Sequence, residues 1–315
     1  APAGAETIVM DIGGTTTDMA ILIDRVPLLA PLGIEIGNYK TLIRALHSYS
    51  IGLGGDSVVR LDGKELIIGP ERNGPAMAYG GPTPTPTDAL FVLGRVTGGD
   101  RENAKKGIQP IADALGLNLE QAAEAIFDRT CRQIMAAARH MIEEINRKPV
   151  YTIKELLKGH QVNPTHILVL GGPARHFVDR LSAISGLKAA TVPAWSVANA
   201  VGTALSRATC EVSLFADTQK GILMAPEEGF SQSVKVNFSR QEALQIGYQL
   251  LRQKALKIGA DMDSLDMDVL EELEFNMVRG FRLTGKNIRI KLQIKPGLIH
   301  NYKATTDKIA ANADL

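Results

Sequence analysis

The chain has 315 residues, 45% of them hydrophobic and 22% charged, which is the balance of a globular protein long enough to bury a core without staples. A formal net charge of +1, an aromatic content of 5% and dispersed Lys and Arg argue against nucleic acid as a partner. Two cysteines, Cys131 and Cys210, cannot build a disulfide framework or a zinc site by themselves, and they fit a cytoplasmic compartment. No signal peptide stands out, and no apolar run is long enough to span a bilayer. A start at Ala1 rather than Met suggests a processed chain or a piece of something longer.

Thr7-Ile8-Val9-Met10 and Met19–Ile23 read as two strands joined by a Gly/Thr turn. A third strand is expected near Ile34–Ile36. Ser57–Leu61 and Leu66–Ile68 read as a hairpin around Asp62-Gly63. Residues 69–88 are too rich in Gly and Pro for regular structure and read as a functional surface loop. Residues 119–147 have the apolar spacing of a long amphipathic helix, with Ala122, Ile126, Cys131, Ile134, Met141 and Ile145 on one face.

His166–Leu170 is a buried strand running into Gly171-Gly172-Pro173, with a helix over about 174–184. A short strand at Ala189–Val192 follows, and then a helix capped by Ser196 and running to Arg207. This alternation predicts an α/β layer. Turn residues return at 208–239, which reads as a connecting segment between a first domain, 1–207, and a small α+β region, 240–315. In that region 240–258 and 264–275 look helical, and Arg279–Leu283 with Ile288–Ile294 look like a hairpin around Gly285-Lys286. The acidic run Asp261, Asp263, Asp266 and Asp268 departs from calcium-loop spacing and reads as a solvated helix start, and the last dozen residues as a frayed tail.

The sharpest chemical feature is Asp11-Ile12-Gly13-Gly14-Thr15-Thr16-Thr17-Asp18. Gly13 and Gly14 permit a turn that brings backbone close to phosphate, and Thr15, Thr16 and Thr17 offer hydroxyl and N–H donors to its oxygens. Asp11, at a strand end, is placed to hold Mg²⁺, usually through water. Asp18 either bonds the turn or sits near the metal. The plain alternative is a glycine-rich hairpin. Gly52-Leu53-Gly54-Gly55-Asp56-Ser57 predicts close backbone approach at Gly54 and Gly55, to a ligand or to another loop. Gly171 and Gly172 end a buried strand ahead of a helix N-terminus, a suitable place for an anionic ligand. Asp88, in Thr85-Pro86-Thr87-Asp88, is either a helix cap or a catalytic, metal-linked carboxylate.

Together with Tyr79-Gly80-Gly81-Pro82, Thr87–Arg95 and Val192-Pro193, these motifs resemble the hydantoinase A/5-oxoprolinase/acetone carboxylase family over residues 6–207. The resemblance implies an α/β fold: one RNase H-like half of an actin/hexokinase/Hsp70-type ATPase, with an inserted Gly/Pro-rich loop and helices. It implies ATP and Mg²⁺ as cofactors, a Gly171-Gly172 turn that passes under the adenosine, and ATP-dependent hydrolysis of a cyclic amide or related carbonyl compound. An actin-like module that reactivates or switches a partner enzyme, and a degenerate scaffold subunit, stand as alternatives. The family has an earlier phosphate turn that this sequence lacks, so an N-terminal half or second subunit is expected to complete the cleft. Asp56 stands where many members have glycine, and a carboxylate there would repel phosphate or help hold metal.

Overall fold

The computed structural model describes residues 5–30, 33, 35–36, 39–41, 45–147, 161–260 and 265–299. The chain divides into two compact units, Ala1–Ala200 and Val201–Leu315.

The first unit is organised around β1 (Glu6–Ile12). Its apolar side chains Ile8, Met10 and Ile12 are all buried, as the run of strand-forming residues requires. β1 pairs antiparallel with β2 (Thr17–Ile23), placing Asp11 opposite Asp18. On its other side β1 pairs in parallel with β6 (His166–Leu170), and β6 in turn with β7 (Lys188–Thr191). The outer edge of β2 carries β3 (Ser48–Ile51) and the short segment Val26–Pro27. A separate hairpin, β4 (Val59–Asp62) with β5 (Glu65–Ile68), turns through Gly63 at a φ of 60°, as Asp62-Gly63 predicts. Glu35–Ile36 pairs with Tyr39–Lys40, in keeping with a strand near 34–36.

Three helices follow the Gly/Pro-rich stretch: α1 (Pro86–Val92), α2 (Arg101–Leu115) and α3 (Leu119–Arg147). Of the expected apolar positions of α3, Ala122, Ile126, Cys131, Ile134 and Met141 are at 0% exposure and Ile145 is partly buried, and Phe127 joins them at 0%. The pattern did not announce α2, because Gly107 and Pro110 lie inside it. Gly107 has a packing reason, since a side chain there would strike Met77. After β6 the chain makes a single 3-10 turn, Ala174–His176, and then α4 (Val178–Ser185), which ends at Gly186 in the left-handed region. α5 (Ala198–Leu205) starts two residues beyond Ser196, which lies in the preceding turn rather than at a cap.

The second unit is a five-stranded antiparallel sheet with one helix on it. In chain order its strands are β8 (Glu211–Asp217), β9 (Ile222–Ala225), β10 (Phe230–Ser233), β11 (Met267–Arg279) and β12 (Arg282–Ile294). Their order across the sheet is β10-β9-β8-β12-β11. The stretch 208–239 is therefore not a connecting segment but three strands of this sheet. Its turn residues, such as Gly221 and Gly229, join strands rather than units. α6 (Arg240–Lys257) begins in a Ser239/Glu242 capping box and lies close on the sheet at Gly247, where a Cβ would come within 2.7 Å of Leu292.

The expected helix at 264–275 is instead strand β11. Leu- and Glu-rich sequence favours a helix locally. Pairing along the whole of β12 overrides that preference, and Glu272 and Glu274 find Arg240 at 2.8 Å and Lys286 at 2.7 Å. The hairpin turns at Gly280-Phe281, not at Gly285-Lys286, which lies within β12. Asp268 is accordingly a strand residue. Asp261 and Asp263 lie outside the described residues, as does the expected frayed tail from 300 onward.

Candidate functional site

Parallel pairing of β1 and β6 brings two glycine turns to the same end of the sheet, Gly13-Gly14 after β1 and Gly171-Gly172 after β6. Crevices beyond the carboxyl ends of parallel strands are where such sheets hold ligands. The Gly13 N–H donates to the Thr16 carbonyl at 2.9 Å, closing the turn between β1 and β2. Among the described residues, the N–H groups of Gly14 and Thr15 have no acceptor within the protein. Consecutive free N–H groups on a glycine turn form a concavity suited to an anion.

Asp11 sits at the end of β1, half-buried, with its carboxylate accepting from the Asn199 amide. Burial, then the facing Asp18 carboxylate, raise the Asp11 carboxyl above its usual range, and the Asn199 bond opposes them. A proton or a cation at this place would relieve that strain. Asp18 is exposed and accepts from the Thr16 hydroxyl at 3.2 Å. Gly171, at a φ of 103°, lies against the same carboxylate, and a Cβ on it would come 2.7 Å from Asp11 Oδ1. Gly172 is different: a Cβ there would meet nothing within 4 Å.

Three expected ligand residues have other work. Thr17 is buried, and its hydroxyl donates to the Leu53 carbonyl at 2.7 Å, so it ties two loops together instead of facing a phosphate. Gly54 and Gly55 serve the same junction. The Gly55 N–H donates to Gly13 O at 2.9 Å and the Asp56 N–H to Gly14 O at 2.7 Å, while a Cβ on Gly54 would come 2.6 Å from those backbone atoms. Close approach at Gly54 is to the Gly13-Gly14 turn, and at Gly55 to Thr87 Oγ1 of α1, 2.7 Å from where a Cβ would sit. They support the phosphate-sized turn from behind.

Asp88 resolves in favour of the cap. It is fully buried at the third position of α1, and its carboxylate accepts from Thr85 N (3.0 Å), Thr85 Oγ1 (2.9 Å), Met77 N (3.0 Å) and Ala78 N (2.8 Å). Burial pushes its carboxyl upward against the pull of those donors. With four donors on two oxygens and no exposed surface, Asp88 clasps the 77–79 turn to the helix start and is not placed to touch a substrate or a metal.

A cavity of about 330 Å³ lies between the two glycine turns, lined by Gly14, Gly55, Asp56, Gly172, Pro173 and His176 among others. A larger one of about 870 Å³ shares Val96 and His176 with it and adds Arg95, Arg175, Arg180 and Trp195. Burial, then Arg175 and Arg95, depress the His176 imidazole. Asn199, Arg72, Arg175 and Arg180 were not singled out in the sequence, whereas Arg95 closes the Thr87–Arg95 motif. Asn199, Arg175 and Arg180 lie in segments that read as helix, but periodicity does not say what their side chains face. No group of three or more metal-ligating side chains occurs among the described residues. A divalent ion that keeps its water and takes one or two carboxylates together with phosphate oxygens does not need one, so Asp11 and Asp18 beside two free N–H donors fit a Mg-nucleotide.

A family profile described as hydantoinase/oxoprolinase matches residues 2–212. No curated protein matches the chain. Among solved structures, nucleotide-free acetone carboxylase, described with a mechanism of ATP-dependent acetone carboxylation, is similar at 17% identity and a TM-score of 0.64. That similarity covers 95% of this chain and 47% of acetone carboxylase, so the chain spans about half the length of that relative. A non-polymerisable ParM mutant shares 13% identity over 64% of this chain and 46% of its own, with a TM-score of 0.32. MreB 5 of Spiroplasma citri bound to AMPPNP shares 13% over 64% and 52%, with a TM-score of 0.28. The chain shares the α/β fold of acetone carboxylase.

Proposed function

The chain belongs to the hydantoinase/oxoprolinase family, and on that premise we propose that it is an ATP-dependent hydrolase component that activates a cyclic amide or related carbonyl compound by phosphorylation. The observation that carries this reading is the meeting of the two glycine turns at Asp11, with the Gly14 and Thr15 N–H groups free above it. In this reading those N–H groups hold phosphate oxygens, with the Thr15 and Thr16 hydroxyls beside them. Asp11 and Asp18 would hold Mg²⁺, which would neutralise phosphate charge. Asn199 holds the Asp11 carboxylate through its amide. The adenosine runs past Gly172 toward the larger cavity, where Arg175 and Trp195 supply a cation and a ring face.

Phosphorylation of a carbonyl oxygen turns a poor electrophile into a good one, and the protein's share is positioning and electrostatics. In this reading an N-terminal half or second subunit supplies the opposite wall of the cleft, in keeping with a match that covers 47% of acetone carboxylase. No described helix is long and apolar enough to cross a membrane, and the free thiols of Cys131 and Cys210 suit the cytoplasm. Titration calorimetry with Mg-ATP and Mg-ADP tests the reading, first on this chain and then with an N-terminal half added. Binding that strengthens on addition, followed by ATP-dependent turnover in a screen of cyclic amides, is the expected result. Absence of binding in both forms would leave a scaffold role and end the catalytic reading.

A further inference from the structure

Asp56, which follows Gly54-Gly55, lies directly against the Gly13-Gly14 turn. A Cβ on Gly14 would come 2.6 Å from its Oδ2, and its N–H donates to the Gly14 carbonyl at 2.7 Å. An anion seated on the Gly14 and Thr15 N–H groups would therefore meet a carboxylate at close range, in addition to Asp11 and Asp18. Arg72 answers that charge. Its Nη2 donates to Asp56 Oδ2 at 3.0 Å, and among the described residues this is its ion pair.

The two ends of Arg72 differ in freedom. Its backbone is anchored next door, where the Glu71 carbonyl accepts from Val58 N at 2.8 Å and the Glu71 carboxylate from Arg60 at 2.7 Å. Its side chain is 41% exposed and gives Asp56 a single N–H, leaving the rest of the guanidinium fork available. An anchored backbone with an exposed, always-charged fork beside a turn with free N–H groups is an arrangement for catching phosphate.

We infer that Arg72 is a phosphate-binding residue of this site, held ready by Asp56 and transferred from that carboxylate to the phosphate oxygens when the turn is filled. The inference rests on the nucleotide reading above for the identity of the anion, but the chemistry requires only a polyphosphate. Asp56 keeps Arg72 at the turn in this arrangement, but it competes with phosphate for the guanidinium and its carboxylate repels an anion seated there.

The test is calorimetric affinity of the full chain for Mg-ATP, adenosine and inorganic tripolyphosphate, in the wild type and in Arg72→Ala, Arg72→Lys, Asp56→Ala and the Asp56/Arg72 double alanine variant, with melting temperatures alongside. Arg72→Ala is expected to weaken Mg-ATP and tripolyphosphate about ten-fold and to leave adenosine unchanged, with Lys restoring only part, because a point charge lacks the fork. Asp56→Ala is expected to shift polyphosphate affinity in the opposite direction, and the double variant to lose that gain. Equal weakening and equal melting-point loss in the two single variants would make the pair merely structural and overturn the inference. So would unaltered polyphosphate affinity in Arg72→Ala while Asp11→Ala still abolishes Mg-ATP binding, a result that would leave the nucleotide reading standing. Arg72-dependent binding of tripolyphosphate without binding of any adenine nucleotide would support the inference and overturn the nucleotide reading instead.

Discussion

Asp11 and Asp88 begin alike and end as opposites. Both lie next to Thr-rich turns, and burial raises the carboxyl of each. Around Asp88 the protein supplies four donors from the Thr85 cap and the 77–79 turn, so the carboxylate is complete within the fold. Around Asp11 it supplies the Asn199 amide and sets a second carboxylate, Asp18, across the hairpin. A structural carboxylate is one whose partners the fold provides. On the proposed reading, a carboxylate left short of donors and facing its own kind takes its missing partner from outside the chain.

That contrast can be broken most severely at Asp88. Asp88→Ala leaves buried donors without acceptors, and at about 1–3 kcal/mol for each stranded group the expected loss is on the order of 4 kcal/mol. Denaturant unfolding measures it, and a loss below 1 kcal/mol would contradict the clasp. At Asp11 the expectation is reversed. Asp11→Asn removes a carboxylate that the folded state prefers to hold neutral. Its raised pKa contributes stability that is present below the unfolded carboxyl range and is lost as pH rises through the folded value. At neutral pH the Asn variant should therefore melt no lower than the wild type, while Mg-nucleotide affinity falls by about 100-fold or more, roughly 2.7 kcal/mol.

The same shift sharpens the comparison through pH. Cation binding needs ionised Asp11, so Mg-nucleotide affinity should decline on acidification at a pH above the ordinary carboxylate range, and Asp11→Asn should flatten the profile. A decline governed only by an unshifted carboxylate would remove Asp11 from the metal. The glycines extend the contrast to backbone. Gly54→Ala places a methyl against the Gly13-Gly14 turn and should destabilise by about 2 kcal/mol, as overpacking does. Gly172→Ala meets open space and should change stability by less than about 0.5 kcal/mol. Thermal melts of the two variants check both, and equal effects would mean that the second glycine turn is as closely packed as the first.

Local sequence determined a good deal. Strand, Asp, two glycines and threonines in succession favour a tight hairpin turn, because hydroxyls favour turns and glycine allows close approach, here of Asp56 Oδ2 to within 2.6 Å of where a Cβ on Gly14 would sit. The apolar period of 119–147 determined a helix and its buried face. What local pattern does not contain is the partner of each group. Thr17 reads like Thr15 and Thr16, yet the strand alternation turns it inward to Leu53. Gly54-Gly55 reads like Gly13-Gly14, yet one turn is packed against the other. Met267–Phe275 reads as helix, yet pairing with β12 makes it a strand. Asn199 is 188 residues from Asp11, and Arg72 reaches Asp56 from the far side of the β4–β5 hairpin. Propensity and periodicity act over a few residues, so they decide which elements form. Which carboxylate is satisfied and which is left to bind depends on contacts between distant segments, and the tertiary structure alone decided that.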